Sequence, residues 1–227
     1  MELKKIARGM LVAACLAAGS AQANTVTYDL TDVASQQNDL DSLMSFQQFH
    51  ASMGTLTGVT LDIYSDLSST VALTNHNTGT HGAKTVDVSL TASMSLAAPG
   101  ATLFADGTLL SLPLSVGAKA PGPAGALGQA SSNDSLTLHA SHSYSGADLL
   151  AFIGNGSLSS QLSVTAVSHL QVNGVEADYD TWANGHGQIS YTFAALPVPV
   201  PEPETHAMLL AGLGLLAFAA KRSKRAS

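Results

Sequence analysis

The sequence predicts an all-β protein: an antiparallel, jelly-roll-like β-sandwich, preceded by a signal peptide and followed by a single hydrophobic helix. Three observations predict this. From Thr25 to Phe193 the dominant hydrophobic period is two. Glycine, proline and asparagine punctuate the alternating runs as turn signals. The composition is rich in Ser, Thr, Ala, Gly and Leu, with only 5% aromatic residues, which suits a secreted β domain better than a helical enzyme.

Each element follows from its own pattern. Val26 to Leu30 is the first candidate strand. Asp32 is a potential cap for a short helix within Ser35 to His50. Leu56 to Ile63 is a strand whose phase slips at Gly58, where a bulge resets it. Val71 to Leu73 follows. Thr85 to Leu96 is the clearest strand: Val86, Val88, Leu90, Ala92, Met94 and Leu96 alternate with polar residues. Pro99-Gly100 marks a turn, and Gly117 to Gly128, with Pro121 and Pro123, reads as a surface loop splitting the strands into two groups. Leu136 to Tyr144 alternates through Leu138, Ala140 and His142, and a longer strand runs from Leu158 to Val172. Asn173-Gly174 favours a type I′ hairpin, Asn184-Gly185 another turn, and Ile189, Tyr191 and Phe193 a closing strand. One apolar and one Ser/Thr face per strand is what a two-layer sandwich of eight to ten strands requires.

The chain has 227 residues and a formal net charge of -7. Seven of its nine basic residues lie at the ends: Lys4, Lys5, Arg8, Lys221, Arg222, Lys224 and Arg225. Between Asn24 and Leu196 only Lys84 and Lys119 stand against thirteen acidic residues. Such a body repels a phosphate backbone, which argues against nucleic-acid binding. The single cysteine, Cys15, falls in the leader. A mature chain without it has no disulfide, and must rest on its own core, for which about 170 residues suffice.

The ends read as addresses. Lys4, Lys5 and Arg8 form a basic n-region, Met10 to Ala18 an apolar run too short to span a bilayer, and Ala21-Gln22-Ala23 an A-x-A site. Cleavage after Ala23 by signal peptidase, following export through the secretory translocon, makes Asn24 the first mature residue. Residues 1–23 are thus the signal peptide, 24–196 the β-sandwich domain and 197–227 the tail. Two alternatives stand beside this: a short buried helix, and a lipoprotein leader in which Val12-Ala13-Ala14-Cys15 is a lipobox.

The tail carries Val200-Pro201-Glu202-Pro203, then the apolar run Ala207 to Ala220, then the basic cluster Lys221, Arg222, Lys224 and Arg225. The prolines remove backbone donors and keep the motif extended. The apolar run makes roughly 21 Å of helix against about 30 Å of hydrocarbon, so it holds weakly. The basic end places the body outside the cytoplasm. In order, spacing and position this tail resembles the PEP-CTERM sorting tail, although Glu204-Thr205 replaces the Ser or Thr that often follows the second proline. The resemblance implies processing by an exosortase as partner, a transient stay in the inner membrane, release to the cell surface or extracellular matrix, and a host that secretes exopolysaccharide and forms biofilm. The alternative is a permanent anchor.

The body is itself similar to the choice-of-anchor β domains, most like type E. Gly54-Thr55-Leu56-Thr57-Gly58-Val59-Thr60-Leu61 looks like their G-T-L-x-x-V-x-L strand, Phe152-Ile153-Gly154-Asn155-Gly156 like their F-x-G-x-G turn, and Ile189 to Phe193 like their closing aromatic strand. That resemblance implies no catalytic residues.

Chemistry-bearing motifs are sparse. No G-x-S-x-G, H-E-x-x-H or phosphate-binding glycine loop occurs. His139 and His142, three apart on a strand, point to opposite faces; His142, in phase with Leu138 and Tyr144, is expected to be partly buried and hydrogen-bonded. His76 and His81 share a polar loop, and His206 belongs to the tail. The densest segment is Glu176 to His186. Asp178 and Asp180 are weak metal candidates with oxygen ligands suited to calcium, but the segment fails the EF-hand template. Tyr179 and Trp182 are candidates for a sugar-stacking platform, and Asp39 and Asp41 form a second acidic pair. The expected function is therefore a non-enzymatic exported surface or matrix protein without cofactors. The alternatives are a calcium- or glycan-binding lectin-like module and a secreted hydrolase.

Overall fold

The computed structural model describes residues 23–79, 82–170, 172–196 and 207–216. Nine strands form among them: β1 (Ala23–Asp29), β2 (Val33–Gln37), β3 (Leu40–Gln47), β4 (Gly54–Asn75), β5 (Lys84–Ala98), β6 (Ala101–Val116), β7 (Gly128–Tyr144), β8 (Ser157–His169) and β9 (Val175–Ala195). The pairing is nested and antiparallel: β1 and β2 with β9, β3 with β8, β4 with β7, β5 with β6. This is one long ribbon folded back on itself. Rolled up, it sets β9 against β4 and β8 against β5. The result is one sheet of order β1-β9-β4-β7, with β2 also on β9, and a second of order β3-β8-β5-β6, which is the jelly-roll arrangement.

Side-chain alternation decides what each sheet buries. All six apolar residues of the β5 pattern, from Val86 to Leu96, are buried. On β4 the bulge falls where the phase slip predicts it: Leu56 pairs with Phe193 and Gly58 with Thr192, leaving Thr57 as the extra residue. The inward set then runs Val59, Leu61, Ile63, Leu67, Val71 and Leu73. Ser65 and Ser69 take inward places in that series. Ser65 donates to the Asn184 carbonyl at 2.6 Å, and Ser69 shares a 2.9 Å hydrogen bond with Thr181. Pairing is what makes buried hydroxyls tolerable.

Phe46, Phe49, Tyr144, Phe152, Tyr191 and Phe193 gather at one end. Phe49 packs on Tyr191 and Phe193 at 5.7 and 5.2 Å between ring centroids, Phe152 on Phe46 and Tyr144 at 6.2 and 4.6 Å. The Tyr191 hydroxyl donates to the Gln47 carbonyl at 2.6 Å. At the opposite end the buried Asn75 holds three loop segments. It donates to the carbonyls of Gly82 and Gly117 at 2.5 and 2.9 Å and accepts from the Asn77 backbone N–H at 2.9 Å.

Several expectations are corrected. Residues 35–50 contain no helix but strands β2 and β3. Leu40 and Met44 are spaced as on a helix, yet with Phe46 they share a strand face on which Ser42 breaks the apolar alternation. Asn173-Gly174 is a turn closed by the Val175 N–H on the Val172 carbonyl at 3.3 Å, but it is neither type I′ nor a hairpin. Only Gly174 has positive φ (74°), and the turn carries the chain from one sheet to the other. Asn184-Gly185 is no turn: both lie inside β9. A side chain at Gly185 would meet Leu162 of the facing sheet at 2.3 Å, so glycine serves close packing there. The strand expected to reach Val172 ends at His169. The Gly117–Gly128 segment links β6 to β7 but does not divide the strands into two groups, since members of both sheets lie on either side of it.

Two predictions follow from this packing. Gly54 has φ 144°, and a Cβ there would lie 2.1 Å from the Ala194 carbonyl oxygen. Backbone cannot move aside as the tip of Leu162 can. Gly54→Ala should therefore cost about 3 kcal/mol and Gly185→Ala about 1–2. Thermal unfolding should show the larger fall in Tm for Gly54→Ala; the reverse order would refute the clash. Burial also pushes the Tyr191 phenol, and that of Tyr144 beside Asp148, above the ordinary tyrosine value. The unfolded chain ionises its tyrosines near pH 10. Stability should thus be complete below about pH 10 and fall above it, by ~1.4 kcal/mol per pH unit for each tyrosine still protonated in the fold. Denaturant titrations between pH 8 and 11 should show a shallower decline for Tyr191→Phe than for the natural chain.

Candidate functional site

With the odd-numbered residues of β4 turned inward from Val59 onward, its even-numbered residues line the outer face of the first sheet. The registers with β7 and β9 turn that face into rows. Tyr64 lies between His139 and His186, Ser68 between Ser135 and Trp182, Thr70 between Asn133 and Asp180, and Ala72 between Ser131 and Asp178.

The Tyr64 row forms a ridge of three rings. His139 stacks on Tyr64 with centroids 4.3 Å apart, His186 with centroids 5.3 Å apart, each at an interplanar angle of 10°. One imidazole comes from each neighbouring strand, so both faces of the tyrosine ring are covered. Carboxylates flank the ridge: His139 Nε2 lies 3.3 Å from Asp62 Oδ1 and His186 Nδ1 3.7 Å from Asp66 Oδ2. These are ion pairs only when the imidazoles are protonated, and at such exposure each contributes at most about 1 kcal/mol. Asp66 also accepts from Thr137 at 2.7 Å.

Further along the face, Trp182 is 42% exposed. It borders an open depression of roughly 300 Å³ lined also by Ser68, Thr70, Asn133, Asp134 and Asp180. Asp180 is oriented by Gln37, whose Nε2 donates to Oδ1 at 2.8 Å. Asp62, Asp66, Glu176, Asp178 and Asp180 make the face acidic. Neither lysine of the body is on it: Lys84 opens β5 of the other sheet and Lys119 lies in the loop after β6.

The sequence-predicted residues scatter over this frame. Asp178 and Asp180 do share the outer face, two residues apart on β9. Among the described residues no group of three or more His, Cys, Asp or Glu stands where it could hold a metal ion. Tyr179 and Trp182 cannot form one platform, because the strand's alternation turns them to opposite faces; the Tyr179 hydroxyl is buried without a partner. His139 and His142 do lie on opposite faces. His142 is nevertheless exposed rather than partly buried, because β7 is an edge strand, and it packs edge-on against Tyr144 at 4.5 Å. His76 meets Glu176 at 3.5 Å, a carboxylate distant in sequence. Asp39 accepts from the Ala166 N–H at 3.3 Å and Asp41 from Gln161, so both serve the β3–β8 join. Ala23 and Asn24 begin β1, paired with Ala194 and Phe193. Ala21, Cys15, His81, His206, Val200, Pro201, Glu202, Pro203, Lys221, Arg222, Lys224 and Arg225 lie outside the described residues.

Sequence reasoning missed the ridge. Tyr64, His139 and His186 sit on three separate strands and become neighbours only through register. The sole signal available was that His139 occupies an outward position of an alternating strand.

A helix covers 207–216 within the tail, and no helix among the described residues is long and apolar enough to cross a membrane. No curated protein matches the chain. The solved structures similar to it include three viral ones. Desmodium yellow mottle tymovirus is 11% identical over 79% of this chain and 93% of that one, with a TM-score of 0.21. The infectious bursal disease virus Gt strain is 9% identical over 83% and 47%, with a TM-score of 0.14. The VP2 subviral particle of infectious bursal disease virus is 14% identical over 83% and 49%, also with a TM-score of 0.14. Scores of this size carry no argument. The family comparison is specific: residues 199–225 match the model of the PEP-CTERM protein-sorting motif. The body's resemblance to the choice-of-anchor domains rests on the residues quoted for it. The chain is an all-β protein carrying a PEP-CTERM protein-sorting motif at its C-terminal end, which marks it as an exported substrate of exosortase-dependent sorting.

Proposed function

We propose that this is a non-enzymatic exported protein, held at the inner membrane by its tail, processed by an exosortase and delivered to the cell surface or an exopolysaccharide matrix. The observation that carries the reading is the sorting motif at residues 199–225. The fold is compatible with it. Ala23 pairs with Ala194, so the segments leading to the signal peptide and to the tail leave the domain side by side. A domain whose two connections share one end can be held by either without being pulled apart. Only residues 196–198 separate the end of β9 from the motif, at most about 11 Å of extended chain, so the motif is presented close to the folded body. The outer sheet faces, covered with Ser and Thr, present hydrated surfaces suited to a polymer matrix.

Intact mass tests the reading. Protein recovered from a host with its exosortase should lack residues 1–23 and the apolar helix, whereas protein from a host without the enzyme should lose only residues 1–23. Glu202→Ala should leave the tail attached in both. Retention of the helix by the natural chain in both hosts would instead mean a permanent anchor.

A further inference from the structure

The outer face of the first sheet has the elements of a sugar-binding surface. A pyranose ring offers one patch of C–H groups and a rim of hydroxyls. An exposed indole suits the first, and short polar side chains of fixed geometry suit the second. Trp182 supplies the indole at the edge of the depression, with Ser68, Thr70, Asn133 and Asp180 beside it. Ser68, Thr70 and Trp182 lie on strands paired on both sides, Asn133 on the edge strand β7, and Asp180 is further fixed by Gln37. Four residues of β4, about 14 Å, separate Ser68 from Tyr64. Between the ridge and Trp182 lie the polar residues Asp66, Thr137 and Asn184, whereas the depression lies on the far side of the Ser68 row, toward Thr70, Asn133 and Asp180.

Charge selects among glycans. Asp134 and Asp180 line the depression, Asp62, Asp66 and Asp178 lie on the same sheet face, and no lysine or arginine of the body lies on that face. A uronate or sulfated polymer would be repelled, while hydroxyls and amino groups would be accepted. We propose that this face binds a neutral or amino-bearing glycan, with Trp182 as the stacking residue and Asp180 and Asn133 as hydrogen-bonding residues. The proposal gives the matrix reading a ligand class and rests on it for its setting, but the site stands or falls independently of sorting.

Trp182 is the only tryptophan in the chain, so its fluorescence reports on this site alone. The purified full chain in detergent should be titrated with neutral β-glucan oligomers, with glucosamine oligomers and with oligogalacturonate. A saturable change with the first or second, and none with the third, is expected. Calorimetry should then show about a tenfold weaker affinity for Trp182→Ala and for Asn133→Ala. Asp180→Asn should weaken the glucosamine oligomers more than the glucan. Circular dichroism of each variant checks that the fold survives. Equal binding of oligogalacturonate, undiminished binding by Trp182→Ala, or no saturable response to any glycan would overturn the proposal. So would a fluorescence change that follows protein concentration without sugar, which would make Trp182 a self-association contact. Sugar binding by a chain that keeps its tail in both hosts would uphold this site while refuting the sorting route.

Discussion

The backbone ladder between β4 and β9 is the constraint on which the rest of the structure depends. It runs from Gly54 opposite Ala195 to Asn75 opposite Val175. Once it forms, β9 has β1 and β2 on its other side, β4 has β7, and the inward phase of the whole sheet is set by the bulge at Thr57. A one-residue slip would turn the apolar series of β4 out to solvent and bring Asp62, Tyr64 and Asp66 into the core. The ladder joins segments a hundred or more residues apart, so its closure entropy is met late, and topologies of this kind fold slowly. It also cannot be completed until the final strand is available.

What secures this ladder is compensation at each place where the pattern is imperfect. Ser65 and Ser69 occupy core positions and are paired to Asn184 and Thr181 across the same ladder. Gly185 makes room for Leu162 of the facing sheet. The two ends of the sandwich are closed differently. Stacked and tilted aromatic rings fill the end where the chain enters and leaves, and the amide of Asn75 ties the loops at the other. With its only cysteine at position 15, the domain has no covalent brace, and these side chains take that role.

The same alternation that buries the core builds the outer face of the first sheet. Every inward residue of β4 guarantees an outward neighbour, and three strands in register convert those neighbours into rows. Rows of Ser, Thr and Asn, an acidic margin and two aromatic features result from pairing alone, without a loop or a cleft. The central strands of this face, β4 and β9, are held by backbone hydrogen bonds on both sides, and β7 forms its edge. The described residues of the tail, 207–216, belong to neither sheet.

The sequence by itself determined the local features. Period-two alternation identified β5 to within two residues at either end, the phase slip at Gly58 located the bulge, and the tail motif, which works as a linear signal, was legible without any fold. Local signals misled wherever a long-range contact overrode them. Ser35 to His50, after Asp32, suggested a short helix until β9 and β8 claimed its backbone, and Asn184-Gly185 read as a turn until Leu162 required a glycine opposite it. Only the tertiary structure decided which residues meet: that Tyr64 is enclosed by His139 and His186, that Tyr179 turns away from Trp182, and that Trp182 stands beside Asn133 and Asp180. The physical reason is that alternation specifies which face of a strand a side chain takes, whereas its neighbours on that face depend on register between strands distant in the chain, and register is a property of the assembled sheet.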